Sequence, residues 1–264
     1  MKTVRKPDAD RTYQPRYAAI EITNRCNLRC LHCASDSGSA RDNEMTTEEI
    51  ITVIDELKRL GAEEITLMGG ELFLHDEWDA MAAHVVENSM KLIVISNGLL
   101  MTEKKMRRLV DLDPYIIAIS IDGATPETYR RIRGVDGFGK AMDALRALAG
   151  TGHPLVNAVT CFNRANFSEF DDFVSLFRGT PITWQVQLAG KGGSRFPDEL
   201  FFTKDDYRAY VRKVLDLVST ADDPGVALMD DFGYFPLDPK FDSSAKWNAC
   251  VCKWAGCQGG LRAI

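Results

Sequence analysis

Apolar positions along this chain follow two alternating rhythms. Short runs rich in Ile, Val, Leu and Tyr, at 17–23, 65–68, 91–95, 115–120, 155–161 and 182–188, have the length and composition of buried strands. Between them the apolar residues fall at helical spacing. After Thr46, with Glu49 three places on as in a capping box, Ile50, Val53, Ile54, Leu57 and Leu60 share one helical face that Gly61 ends. Further helices are predicted over 78–88, 102–110, 139–149, 166–177, with Ser168 as its cap, and 204–218.

Strands alternating with helices imply βαβ units, a parallel sheet and right-handed crossovers. Six units occupy 17–220. A closed eightfold barrel takes about 250 residues, so the expected architecture is α/β, a partial (β/α)6 TIM-type barrel. Residues 1–16 are polar, carry Pro7 and Pro15, and read as an N-terminal arm. Residues 221–246 are rich in Asp, Pro and Gly and read as a linker or a loosely folded extension. The tail to 264 holds a second cluster of cysteines.

Composition narrows the classes. With 264 residues, 45% hydrophobic and 27% charged, the chain can bury one large core. A net charge of −6 argues against a nucleic-acid or anionic-membrane partner. The N-terminus has no apolar signal-like stretch, and no run approaches 18 apolar residues. Seven cysteines, an odd number gathered at two places with Cys161 between, do not form a dispersed disulfide framework. A reducing, cytoplasmic setting is expected.

Candidate chemistry gathers where the strands end, which is where parallel α/β folds place their sites. Cys26, Cys30 and Cys33 follow the first strand, on one loop, close enough to address one metal or iron–sulfur cluster. Three ligands are one short for tetrahedral zinc; on a four-iron cubane they leave one iron open. Gly69-Gly70-Glu71 ends the second strand. Alone it reads as turn chemistry; beside thiolates, the glycines let a ligand lie against the backbone and Glu71 offers an acceptor to an ammonium group.

Asn97 in Ser96-Asn97-Gly98 and Ser120 before Ile121-Asp122-Gly123 end the third and fourth strands, as cap and turn residues or as ligand contacts. The tract Tyr129-Arg130-Arg131-Ile132-Arg133-Gly134 reads as a solvated helix end or, through Arg133, as a clamp for a carboxylate. The loop Gly190 to Arg195 lacks the spacing of a phosphate-binding loop and is expected to be mobile near substrate. Cys161, inside an apolar strand, is expected in the core.

Taken together, Cys-x3-Cys-x2-Cys, Gly-Gly-Glu, Ser-Asn-Gly and Ser-Ile-Asp-Gly-Ala-Thr-Pro-Glu-Thr-Tyr-Arg-Arg-Ile-Arg-Gly, in this order over about 16–220, resemble the radical S-adenosylmethionine (SAM) superfamily. The resemblance implies a [4Fe–4S] cluster on Cys26, Cys30 and Cys33, with SAM on the open iron. It further implies the SAM ammonium at Gly69, Gly70 and Glu71, the ribose near Asn97 and Ser120, the carboxylate on Arg133, and adenine beside His32. One electron would then yield methionine and a 5′-deoxyadenosyl radical that takes hydrogen from a substrate. Such an enzyme draws on a one-electron reductant of the flavodoxin or ferredoxin kind.

The ending Cys250-Val251-Cys252-Lys253-Trp254-Ala255-Gly256-Cys257-Gln258-Gly259-Gly260 is similar to the start of the SPASM/twitch extension, whose members carry auxiliary clusters and often modify ribosomally made peptides. The chain stops at Ile264, where further cysteines are expected, so Cys257, Cys250 and Cys252 stand as candidates for a partial auxiliary cluster or as free thiols. Leu72 stands where proline often follows Gly-Gly-Glu. The implied function is peptide modification. Alternatives are small-molecule or cofactor synthesis and a fragment that binds metal or SAM without turnover.

Overall fold

The structure is a computed structural model and describes residues 15–190, 192–220 and 223–228. Seven parallel strands form one sheet in sequence order: β1 (Tyr17–Glu21), β2 (Glu64–Met68), β3 (Lys91–Ser96), β4 (Ile116–Ser120), β5 (Val156–Phe162), β6 (Ile182–Leu188) and β7 (Val226–Leu228). Among the described residues the sheet is open, with β1 and β7 at its edges. Helices α1 (Thr47–Arg59), α2 (Trp78–Glu87), α3 (Glu103–Asp111), α4 (Pro126–Arg133), α5 (Phe138–Ala149), α6 (Phe170–Phe177) and α7 (Lys204–Thr220) connect the strands. The partial barrel is thus as expected, with one strand more than the six read from sequence.

The seventh strand corrects the linker reading in part, because Trp184, Gln185 and Val186 of β6 pair with Val226, Ala227 and Leu228. Cys250, Cys252 and Cys257, the candidates for an auxiliary cluster, lie outside the described residues, as does most of the expected N-terminal arm.

Local chemistry explains where the elements begin. Thr46 caps α1 through the Glu49 amide while Glu49 reaches back to the Thr46 amide, so two otherwise unpaired donors are satisfied together. Ser168 does not cap a helix; it lies inside a short 3-10 turn that precedes α6. Thr125 caps α4, Pro126 opens it, and Gly134 closes it at φ 77°, in the left-handed region that glycine tolerates best.

Every residue of β5 is buried, as expected for a central parallel strand covered on both faces. Between β5, β6 and the outer helices, Trp184 stacks on Phe173 and meets Phe162 and Phe170. Trp184 also donates its indole N–H to the Thr160 hydroxyl at 2.9 Å, so the ring is buried with no polar atom stranded. This packing anchors the wall from which Cys161, Gln185 and Gln187 face the other side of the sheet.

Candidate active site

Parallel pairing in register brings the carboxyl ends of all the strands to one rim, and a cavity of about 200 Å³ opens there. Cys26, Cys30 and Cys33 line it, together with Gly69, Gly70, Asn97, Ser120, His32 and Arg133. These residues come from β1 to β4 and their exits, over more than a hundred positions of sequence. A larger cavity of about 480 Å³ lies between the ends of β5 and β6 and the start of α7 and contains none of the three cysteines.

The cysteine loop is held by its neighbours. Cys26 and Gly38 pair through backbone, Leu31 donates to the Ile132 carbonyl at the end of α4, and the Gly70 and Glu71 amides donate to the Thr23 and Arg25 carbonyls. The three thiols are free of disulfides, and each sulfur has one N–H donor: Leu28 to Cys26 at 3.4 Å, Ser37 to Cys33 at 3.4 Å, and the Arg133 guanidinium to Cys30 at 3.6 Å. Burial pushes the Cys26 thiol up to about 11 and also raises Cys30, against the pull of Arg133.

Among the described residues no three His, Cys, Asp or Glu side chains close on one point as a single metal ion requires. Three thiols on one cavity are a donor set that a cubane takes with one iron left open. The donor set fits, and so do buried polar atoms without a hydrogen-bond partner on cavity residues, His32 Nδ1, Arg133 Nε and an Arg195 guanidinium nitrogen among them.

Gly69 and Gly70 line the cavity, but the reason glycine is needed there lies behind it. A Cβ on Gly69 would stand 2.5 Å from the Thr23 carbonyl oxygen, and one on Gly70 would stand 2.3 Å from that of Arg25. The pair lets the exit of β2 press against the start of the cysteine loop.

Glu71 has its carboxylate engaged within the chain. Its carboxylate is 1% exposed and accepts from the Ser96 hydroxyl at 2.8 Å and from the Asn97 and Phe73 amides at 2.8 and 3.2 Å. It ties the end of β2 to the end of β3 and is not among the residues that line the cavity. Burial raises its carboxyl above the usual range despite these donors. Asn97 likewise has its amide engaged, donating to Asn27 and accepting from Leu99. Ser120 ends β4 facing the cavity.

Arg133, read from sequence as a carboxylate clamp, holds a carboxylate of its own chain. Its guanidinium is 2.6 Å from Asp122 Oδ2, which also lies 3.2 Å from His32 Nε2. Asp122 accepts the Cys161 amide at 2.7 Å through its other oxygen. Although burial opposes ionisation, Arg133 and then His32 outweigh it and bring the Asp122 carboxyl down to about 2. Sequence reasoning missed Asp122; an acid placed directly after an apolar strand, in Ile121-Asp122-Gly123, was the available signal.

Cys161 is 7% exposed, as expected of a core residue, and also borders the cavity beside its register partner Gln187. The described part of the glycine loop lies over the cysteine loop, bonded to it at Ser194 and Arg195. Ser194 donates to the Asp36 carboxylate at 2.7 Å, and Arg195 donates to the Cys30 and Ser37 carbonyls, each at 3.2 Å.

Comparison with known proteins bears on the family and the fold. The model of the radical SAM superfamily matches residues 20–177, more than half of the chain. The mycofactocin maturase MftC of Mycobacterium tuberculosis (strain CDC 1551 / Oshkosh) is 32% identical over 181 residues, covering 67% of this chain and 46% of its own. The sporulation killing factor maturation protein SkfB of Bacillus subtilis (strain 168) is 31% identical over 164 residues, covering 62% and 40%.

The chain thus spans about half the length of the curated relatives it matches. Among solved structures, Streptococcus suis SuiB bound to S-adenosylmethionine superposes with a TM-score of 0.77 over 95% of this chain and 58% of that one, at 14% identity. SuiB bound to precursor peptide SuiA gives 0.73 over 83% and 50%, also at 14% identity. Both support the fold. Among the described residues no helix is long and apolar enough to cross a membrane.

Proposed function

The chain belongs to the radical SAM superfamily, and from that premise we propose that it uses a [4Fe–4S] cluster and SAM to take hydrogen from a ribosomally made peptide. The observation that carries the reading is the cysteine triad, three free thiols on one cavity with an N–H donor directed at each sulfur. Such donors stabilise thiolate charge and tune a cluster's potential.

Bound together, the two groups supply one-electron cleavage of the sulfonium C–S bond and hydrogen abstraction from substrate. The chain's own part is to hold and orient them. Cys26, Cys30 and Cys33 ligate the cluster and leave one iron to SAM. The backbone carbonyls at Gly69 and Gly70 receive the ammonium, on a turn braced by Glu71. Asn97 and Ser120 border the ribose, and His32, turned by Asp122, lies beside adenine. The apolar lining residues Leu28, Met68 of β2, Ile95 of β3 and Val159 of β5 would help to keep water from the reacting atoms.

A peptide substrate is supported by the relatives named as maturases and by SuiB with its precursor peptide. The electron would come from a reductant of the flavodoxin or ferredoxin kind. An auxiliary cluster on Cys257, with Cys250 and Cys252, belongs to the same proposal, and iron in excess of one cubane would reveal it.

Anaerobically reconstituted protein, reduced and given SAM, should release methionine and 5′-deoxyadenosine. Their absence from a sample with verified iron and sulfide would overturn the reading. Deuterium passing from a labelled precursor peptide into 5′-deoxyadenosine would establish the substrate class; transfer only from a small metabolite would replace the peptide reading.

A further inference from the structure

The larger cavity, of about 480 Å³, has the size of a ligand site and holds none of the residues assigned above. It shares two strands with the cysteine cavity. The register pair Cys161 and Gln187 lines the cysteine cavity, and the next pair along β5 and β6, Phe162 and Leu188, lines the larger one. Successive residues of a strand point to opposite faces, so the two cavities open at one rim on either side of the sheet.

The walls of this second cavity are apolar and its rim is cationic. Leu188, Ala189, Phe201 and Phe202 are half-buried around it, so apolar surface stays open there. Asn163, which also lines it, has its amide engaged by the Cys161 carbonyl and the Ala165 amide. The charged lining residues are Lys204 and Arg208, one turn apart at the start of α7.

Among the described residues no acid lines the cavity. Asp206 accepts the Thr203 amide and hydroxyl and pairs with Arg164. Asp205 meets Arg208 at 3.2 Å, but both side chains are largely in solvent, where such a pair holds weakly. Lys204 forms no ion pair among the described residues. On a chain of net charge −6, positive charge facing an apolar hollow favours an occupant that carries a carboxylate beside an apolar side chain.

We propose that this cavity docks a segment of the peptide substrate that does not itself react, seating an apolar side chain among Leu188, Phe201 and Phe202 and pairing an adjacent carboxylate with Lys204 and Arg208. The assignment rests on the peptide reading above. A free small acid held here would lie across the sheet from the cysteines, out of reach of the reacting atoms. A chain can occupy both openings of one rim, since each extended residue spans about 3.3 Å. Attachment at the second cavity raises the effective concentration of the reacting segment at the first.

The test is fluorescence anisotropy of a fluorescein-labelled hexapeptide amide, Ser-Glu-Leu-Phe-Glu-Ser, and of its uncharged counterpart Ser-Gln-Leu-Phe-Gln-Ser, each titrated with the full chain. The acidic peptide should bind about tenfold more tightly at low salt, the effect of two exposed charge pairs, and should lose that preference as salt screens them. The double variant Lys204→Glu, Arg208→Gln should bind the two peptides alike. Both positions are exposed, and Lys204→Glu puts an acid in the first turn of α7, which a helix favours, so the fold is retained. Ala189→Trp, which fills the cavity from its rim, should weaken both peptides together.

Failure of the acidic peptide to bind, equal binding of both peptides by the wild type, or a preference that survives in the double variant would overturn the proposal. Binding of 3-phenylpropionate as tight as that of the acidic peptide would make this a small-acid site, and displacement of the peptide by self-association in sedimentation equilibrium would give the cavity to a second copy; either overturns it. Docking needs no cluster. Its loss with SAM cleavage intact would strike this proposal alone, and docking without SAM cleavage in the loaded chain would strike the parent reading.

Discussion

Asp122 and Arg133 form a buried ion pair, 2.6 Å between Oδ2 and a guanidinium nitrogen, that joins the end of β4 to the end of α4. Removing one partner strands the other. We predict that Asp122→Asn costs about 3–5 kcal/mol, whereas the double variant Asp122→Asn, Arg133→Met regains most of it because no unpaired charge remains. Denaturant unfolding of the metal-free chain measures both; simple additivity would contradict the coupling.

The same pair sets an acid limit. The Asp122 carboxyl lies at about 2 in the folded chain against an ordinary 3.8, so it favours ionisation more when folded than when unfolded. Its contribution is complete above 3.8, amounts to about 2 kcal/mol, and is lost as pH falls toward about 2. Glu71, raised by burial, acts with the opposite sign, since its protonation favours the folded chain. The unfolding midpoint of the wild type should fall over that window by more than the midpoint of Asp122→Asn does.

Gly70→Ala should disturb the cysteines without touching them. Its Cβ would meet the Arg25 carbonyl oxygen at 2.3 Å, and a backbone group cannot turn aside as a flexible side chain can. A loss of about 2–3 kcal/mol and poorer iron retention are expected, read by thermal unfolding and iron analysis. Normal iron content with only weakened SAM binding would show that the glycine serves the ligand instead.

Glu71→Ala should unfold more readily by about 2–4 kcal/mol, because the Ser96 hydroxyl and the Phe73 and Asn97 amides lose a common acceptor. Glu71→Gln keeps part of that acceptor and should be milder. Were the carboxylate to hold the SAM ammonium directly, Glu71→Gln would instead change SAM affinity at unaltered stability.

Alanine at Cys26, Cys30 or Cys33 should each abolish retention of the cluster, measured as bound iron and sulfide. Cys161→Ala, on the same cavity but outside that loop, should retain both. Equal iron loss in all four variants would remove the distinction between ligand and wall.

Much of this architecture was legible in the chain. Apolar runs of parallel strands, the Thr46–Glu49 box and Gly134 are local signals, and local signals survive without tertiary context. The strand Val226–Leu228 was not legible, because three residues in an Asp- and Pro-rich stretch form a strand only when β6 offers its edge. Ser168 resembled a cap because capping chemistry is also turn chemistry, and here the chain makes a 3-10 turn first.

The candidate site divides along the same line. That the three cysteines and the two glycines share one rim could be read from their places after the first two strands, since a loop's reach is set by a few covalent links. The partner of a charge could not. Glu71 turns to Ser96 and two amides, Arg133 to Asp122, and Arg195 to the cysteine loop that precedes it by more than 150 residues. Sequence alone determined the order of elements and the metal-type chemistry of one loop. Tertiary structure decided which charges are already matched and which face the cavity, because electrostatic pairing depends on distance and burial, and both arise only once distant segments meet.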